Sequence, residues 1–190
     1  MAIRHGIVSN PQFVILSSET SEPSPGQGTS LYVHVPFCVV KCGYCDFNSY
    51  VLTDAASHDL YLEALAAELA VTQVPAAPVS VFIGGGTPSL LDAARLRRLF
   101  AILGQHVDLQ RCPEVTMEAN PESVTPEKAE AALAAGVRRT SIGVQSFRAE
   151  RLRLLDRAHD ADHARMAFAE LRRAGFANID RKSTRLNSSH

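Results

Sequence analysis

The stretch YVHVPFCVVKCGYCDFNSY, residues 32–50, decides how this chain is read. Its opening, Leu31–Pro36 (LYVHVP), is rich in apolar and β-branched residues and predicts a strand. Cys38, Cys42 and Cys45 follow at the spacing CxxxCxxC, three thiols on one short loop. A structural zinc takes four ligands and leaves no position open. A [4Fe–4S] cluster has four irons, ordinarily held by four thiolates, so three thiolates leave one iron free to bind something else. A zinc knuckle with His34 as fourth ligand is the alternative. Past the loop, Ser57–Val71 repeats apolar residues at helical spacing, with Leu60, Leu62, Leu65 and Leu69. Strand, cysteine loop and helix open a βα unit, and in parallel α/β folds functional groups gather on loops after the carboxyl ends of strands.

The unit recurs. A second strand over Val79–Ile83 ends in Gly84-Gly85-Gly86-Thr87-Pro88, and a helical pattern follows over Leu90–Leu103. Glu114–Glu118 predicts a third strand ending in Ala119-Asn120-Pro121. The next helix spans Pro126–Ala135, with Thr125 as N-cap and Pro126 at the first helical position, and Gly136 closes it. Arg139–Val144 is a fourth strand ending in Gln145. A helical region over Arg148–Ala174, broken near His159 and capped by Gly175, leads to a fifth strand starting at Ala177–Ile179. This alternation predicts an α/β fold, a partial (β/α) barrel of four βα units plus the start of a fifth strand. The glycines, Glu118 and Gln145 then fall at the same sheet end as the cysteines. Taken singly, a triple glycine is a tight turn, Glu118 a surface carboxylate and Gln145 a capping side chain.

Four segments carry a resemblance: 32–50, FIGGGTPSLL at 82–91, TMEANPES at 116–123 and SIGVQSF at 141–147. In this order they resemble radical S-adenosylmethionine proteins of the oxygen-independent coproporphyrinogen III oxidase-like family, over residues 31 to 180. The oxidase branch has a further cysteine two positions after the third; here that position is Phe47, and the string DFNS is similar to the heme-chaperone branch. The resemblance implies a [4Fe–4S] cluster on Cys38, Cys42 and Cys45. It implies S-adenosylmethionine contacts at Tyr32, Tyr44, Gly85, Gly86, Thr87, Glu118, Gln145, Arg157 and Asp180, and it names no catalytic acid or base. It further implies an electron donor, heme or a porphyrinogen as ligand, and a respiratory protein as heme acceptor. Two alternatives stay open: a true coproporphyrinogen oxidase and a zinc-binding module.

Composition narrows the class. The 190 residues are 46% apolar with a formal net charge of −1, which speaks against a nucleic-acid-binding surface and fits one globular domain. No run reaches the roughly 18 apolar residues of a membrane span and none reads as a signal peptide, so a cytoplasmic, reducing setting is expected. Clustered cysteines there indicate metal or redox chemistry rather than disulfides, while the lone Cys112 reads as a small buried hydrophobe. Residues 1–30, with the Ser/Pro/Gly/Glu run SSETSEPSPGQGTS at 17–30, read as a disordered or non-native extension. At the other end DRKSTRLNSSH, 180–190, turns basic and aperiodic and resembles the translation of a sequencing adapter. Residues 181–190 are therefore expected to be an artefact on a chain truncated inside its fifth strand; a solvated basic tail is the alternative.

Overall fold

The computed structural model describes residues 15–17 (backbone), 28–74 and 77–183. In chain order the strands and helices are β1 (Ile15–Ser17), β2 (Ser30–Val35), β3 (Phe37–Cys38), β4 (Tyr50–Val51), α1 (Ala55–Val71), β5 (Ser80–Gly85), α2 (Ala93–Gly104), β6 (Glu114–Ala119), α3 (Pro126–Ala134), β7 (Arg139–Gln145), α4 (Ala149–Leu154), α5 (Ala161–Ala174) and β8 (Asn178–Ser183). Single 3-10 turns at Pro88–Leu90 and Pro121–Ser123 follow β5 and β6.

The main sheet has the order β1-β2-β5-β6-β7-β8. Its last five strands run parallel, and β1 adds an antiparallel edge on β2. Each parallel strand lies beside the next one in sequence. With right-handed crossovers this lays all the helices on one face and curves the sheet as in a barrel wall. The expected (β/α) arrangement is therefore present, with four βα units and a fifth strand.

Alternation along the strands separates the two faces. Leu31, Val33, Val35, Val81, Ile83, Val115, Met117, Ile142 and Val144 point to the helices and are buried. They meet Leu62, Leu65 and Leu69 of α1 and Leu96, Leu99 and Leu103 of α2 in one core. Burying each leucine side chain stabilises the fold by roughly 2 kcal/mol. Cys112 joins this core at 4% exposure, as its sequence context predicts. The concave face carries Tyr32, His34, Phe82, Thr116, Glu118 and Ser141, a largely polar surface that lacks an apolar layer.

The helices start where side chains can accept from the first free amides. Asp54 accepts from Ser57 N at 2.8 Å, Asp92 from Arg95 N at 2.8 Å and Thr125 from Lys128 N at 3.4 Å. Asp160 accepts from His163 N at 2.9 Å and starts α5, so the predicted break near His159 is real and spans 155–160. Gly136 and Gly175 end their helices at φ +104° and +110°, where a side chain would be strained.

Several boundaries differ from the sequence reading. The first helix starts at Ala55 and not Ser57, and the second runs Ala93–Gly104 after a 3-10 turn. Two strand ends bear on the site. The second strand runs through Gly84 and Gly85 because the backbone ladder to β2 continues there, with His34 opposite Gly84 and Val35 opposite Gly85. The fifth strand continues through Arg181, Lys182 and Ser183, residues set aside above as foreign. A parallel ladder uses backbone groups alone, so their polar side chains do not stop it. Ile15–Ser17, inside the extension expected to lack structure, pairs with β2. The rest of the 1–30 expectation lies outside the described residues for 1–14 and 18–27, as does the tail at 184–190.

Candidate cluster and cofactor site

The cysteine loop is anchored at both ends. Pro36 O accepts from Tyr50 N at 2.8 Å, and β3 pairs with β4, so the loop leaves and returns at the carboxyl end of β2. His34 fastens it from below. Its Nε2 lies 2.8 Å from Asn48 O, a carbonyl that can only accept, so Nε2 carries the proton. In the neutral ring Nδ1 is then the acceptor, and the Tyr32 hydroxyl donates to it at 3.0 Å. Both ring nitrogens are thus engaged within the protein, which speaks against His34 as a fourth zinc ligand.

The triple glycine seats the loop on the sheet. A Cβ on Gly85, which has φ +108°, would stand 2.4 Å from the His34 ring. A Cβ on Gly86 would stand 2.6 Å from Phe37 O. The backbone that gains this access donates Gly86 N to Val35 O at 2.8 Å and Thr87 N to Phe37 O at 2.6 Å. Gly85 N donates to Glu118 Oε2 at 3.2 Å and so orients that carboxylate. The glycines thus let the backbone pack closely against His34, Phe37 and Glu118.

These pieces enclose a cavity of about 360 Å³ at the carboxyl ends of β2, β5, β6 and β7. It is lined by Cys38, Cys42, Cys45, Tyr44, Gly85, Gly86, Thr87, Glu118, Gln145 and Arg157, ten of the twelve positions singled out from the sequence. Tyr32 and Asp180 stand outside its lining. Tyr32 packs against Phe82 with ring centroids 6.0 Å apart. Asp180 shares a register row with Ser141 and Glu118 on the concave face; it accepts from Ser141 Oγ at 3.0 Å and pairs with Arg139 at 3.5 Å. A larger hollow of about 570 Å³ lies at the opposite end of the strands, beside Gln105, His106 and Asp108, far from the cysteines.

Polar contacts join the walls of the site. Arg157 Nη2 donates to Asn120 Oδ1 at 2.6 Å and to Gly143 O at 2.8 Å, and Nη1 reaches Cys42 Sγ at 3.5 Å. Asn120 Nδ2 donates to Thr87 Oγ1 at 2.9 Å, and Thr87 lies 3.9 Å from Cys38 Sγ. Asn120 is a lining residue that the sequence reading passed over. Its signal was its place directly after a strand, as Gly86 stands directly after β5. Lys182 also enters the cavity and forms an ion pair with Glu118.

All four cysteines are free thiols. Burial pushes the Cys38 thiol up from its ordinary value, hydrogen bonds from Ser49 and Thr87 oppose this, and the nearby Cys45 and Cys42 add to the rise. Such a thiol deprotonates readily only against a strong electrophile, which an iron of a cluster supplies. Among the described residues no three His, Cys, Asp or Glu side chains converge as the ligands of a single ion would. A four-iron cluster is much larger than one ion, and thiolates spread along one loop around a cavity fit it. Burial, then the negative charge of Glu118, raises the Tyr32 phenol to about 12, so it remains a neutral donor to His34.

The chain belongs to the Radical SAM superfamily, which matches residues 32–186. That family in general uses a [4Fe–4S] cluster with S-adenosylmethionine. Within it, the chain is 44% identical over 163 residues to heme chaperone HemW of Mycobacterium tuberculosis (strain ATCC 25618 / H37Rv), covering 83% of this chain and 42% of that protein. It is 43% identical over 141 residues to heme chaperone HemW of Escherichia coli (strain K12), covering 73% and 37%. Among solved structures, coproporphyrinogen III oxidase (HemN) of Escherichia coli superposes with a TM-score of 0.69 at 29% identity, over 79% of this chain and 35% of that one. The chain thus spans about two-fifths of the length of the curated relatives it matches. No helix among the described residues is long and apolar enough to cross a membrane.

Proposed function

We propose that this chain supplies the cluster- and S-adenosylmethionine-binding part of a heme-chaperone protein of the HemW type, working in the cytoplasm. The observation that carries the reading is the convergence of three thiols from one loop, the Gly85–Thr87 backbone and Glu118 on one strand-end cavity. Cys38, Cys42 and Cys45 would hold the cluster. When bound, it supplies the electron that cleaves the sulfonium C–S bond of S-adenosylmethionine.

The remaining residues bind and orient. Glu118, aimed by Gly85 N, offers a carboxylate to the amino group of the methionyl end, and the Gly85–Thr87 backbone offers N–H and C=O groups to the same end. Arg157 presents a guanidinium beside Cys42, placed to meet a carboxylate. Tyr44, between two ligands, brings an aromatic face for the adenine, and Gln145 closes the far wall. Tyr32 acts from behind, through His34 and the loop. Asp180 is proposed as the outermost contact, one register step from Ser141.

Phe47 favours the chaperone over the oxidase. It lines the cavity mouth at 51% exposure, where the oxidase pattern has another cysteine. An exposed aromatic ring there suits a flat apolar ligand such as heme better than a fourth thiol would. Heme, an electron donor and a heme-accepting respiratory protein are the partners this reading assigns to the intact protein.

The test is anaerobic reconstitution of the intact protein with iron and sulfide, followed by incubation with heme and, separately, with coproporphyrinogen III. A brown protein that binds heme and leaves the porphyrinogen unchanged is expected. Decarboxylated porphyrinogen would replace this reading with the oxidase, and a colourless protein holding zinc would replace both.

A further inference from the structure

Behind Arg157 lies a second group of charges that the site as described does not use. Glu122 sits on the 3-10 turn Pro121–Ser123, directly after Asn120 and Pro121. His159 sits in the turn between α4 and α5, two residues past Arg157. The His159 side chain is fully buried and that of Glu122 is 17% exposed, with Nδ1 and Oε2 3.4 Å apart. His159 Nε2 lies 3.0 Å from Val144 O on β7, an acceptor only, so this nitrogen carries a proton. The other ring nitrogen, Nδ1, faces Oε2 of the Glu122 carboxylate. Among the described residues neither of these two atoms has a hydrogen-bond partner of good geometry, and Arg157 Nε is likewise unmatched.

Burying such a pair is costly, and on stability alone an apolar pair of similar volume would serve as well or better. What the pair adds is position. It ties three separate chain segments together: the loop after β6, the end of β7 and the α4–α5 turn. Those same segments supply the two partners of the guanidinium, Asn120 Oδ1 and Gly143 O, and the guanidinium itself. Asp156, the residue before Arg157, holds a left-handed backbone at φ +51°, so the turn is also conformationally demanding.

We propose that Glu122 and His159 form a positioning clamp for Arg157, which keeps its guanidinium on the cavity side against Asn120, Gly143 and Cys42. The clamp does not touch the ligand; it acts through Arg157. This rests on the proposed reading of the cavity as an S-adenosylmethionine site.

The experiment is a double-mutant cycle in the intact protein, reconstituted anaerobically. Wild type, Arg157→Ala, His159→Phe and the double variant are compared for iron per chain and for S-adenosylmethionine dissociation constant by equilibrium dialysis. Each single variant should bind about tenfold more weakly, the loss expected when one charge-assisted hydrogen bond is misplaced. The double variant should be no weaker than Arg157→Ala alone, because residues acting through one another are not additive. Iron content should stay at the wild-type level throughout. Wild-type affinity in His159→Phe, or losses that multiply in the double variant, would overturn the clamp while leaving the site reading intact. If His159→Phe does not fold, Glu122→Gln takes its place in the same cycle: weaker binding that does not multiply supports the clamp, and wild-type affinity or multiplying losses overturn it. A wild type that assembles a cluster but does not bind S-adenosylmethionine would overturn the site reading and the clamp with it.

Discussion

Cys42 stands on the half-exposed side of the loop, between the Arg157 guanidinium and Asp156 O. Its thiol contributes little to packing, so Cys42→Ala should leave the fold and thermal midpoint nearly unchanged while abolishing cluster assembly. Iron analysis after reconstitution checks this, and retained iron would remove Cys42 from the ligand set. Tyr32 makes a prediction of the opposite kind, on stability and not on iron. Its folded phenol titrates at about 12, above the unfolded value of about 10. The raised value means that its contribution is fully present below the unfolded value and is lost as pH climbs through the folded one. Alkaline unfolding curves should therefore flatten in Tyr32→Phe relative to wild type, and identical curves would contradict the assignment. At this scale the sequence was most legible where chemistry is concentrated: thiols, glycines and one carboxylate at strand ends. It was least legible for Asn120, Glu122 and His159, whose roles depend on partners 31 to 37 residues away.

Elements were readable where they announce their own ends: Thr125 caps the helix that follows it, and Gly136 and Gly175 stop theirs. Asp92 and Asp160 cap theirs as well, a signal the periodicity alone did not use. The short β3–β4 ribbon was not readable, since two-residue strands carry no period and form only because the cysteine loop must close on itself. The end of β5 was misjudged for a related reason. Glycine has no strand propensity, yet Gly84 and Gly85 complete the ladder because any side chain there would collide with Phe82, Glu118 or His34. Gly85→Ala follows as the sharpest element-scale prediction. A left-handed backbone costs an alanine about 1 kcal/mol, and the clash with His34 adds to it. The thermal midpoint should fall by several degrees, and Asn48 and Tyr32 should lose their common anchor, seen as weaker cluster retention. An alanine variant as stable as wild type and equally iron-loaded would refute the seating described for the loop.

The whole molecule is a curved sheet with helices along one face and a polar concave face, and β8 is an edge with no strand on its far side among the described residues. Near it Phe147 and Phe168 are 43% and 45% exposed, with Arg165 and Arg181 over the first ring and Arg172 over the second. Unpaired edges and open apolar surface favour association. The 190-residue polypeptide should therefore self-associate as its concentration rises, measured by size-exclusion chromatography with light scattering. A monomer that unfolds in one cooperative thermal transition would argue against this.

Lys182 gives the concave face one more property. Because it is tethered on β8 and paired with Glu118, its ammonium acts as a built-in competitor at a fixed and high local concentration. Any cationic group that seeks the Glu118 carboxylate must first displace it. The affinity measured for this polypeptide is then a difference between two cations, one covalently attached and one arriving from solution.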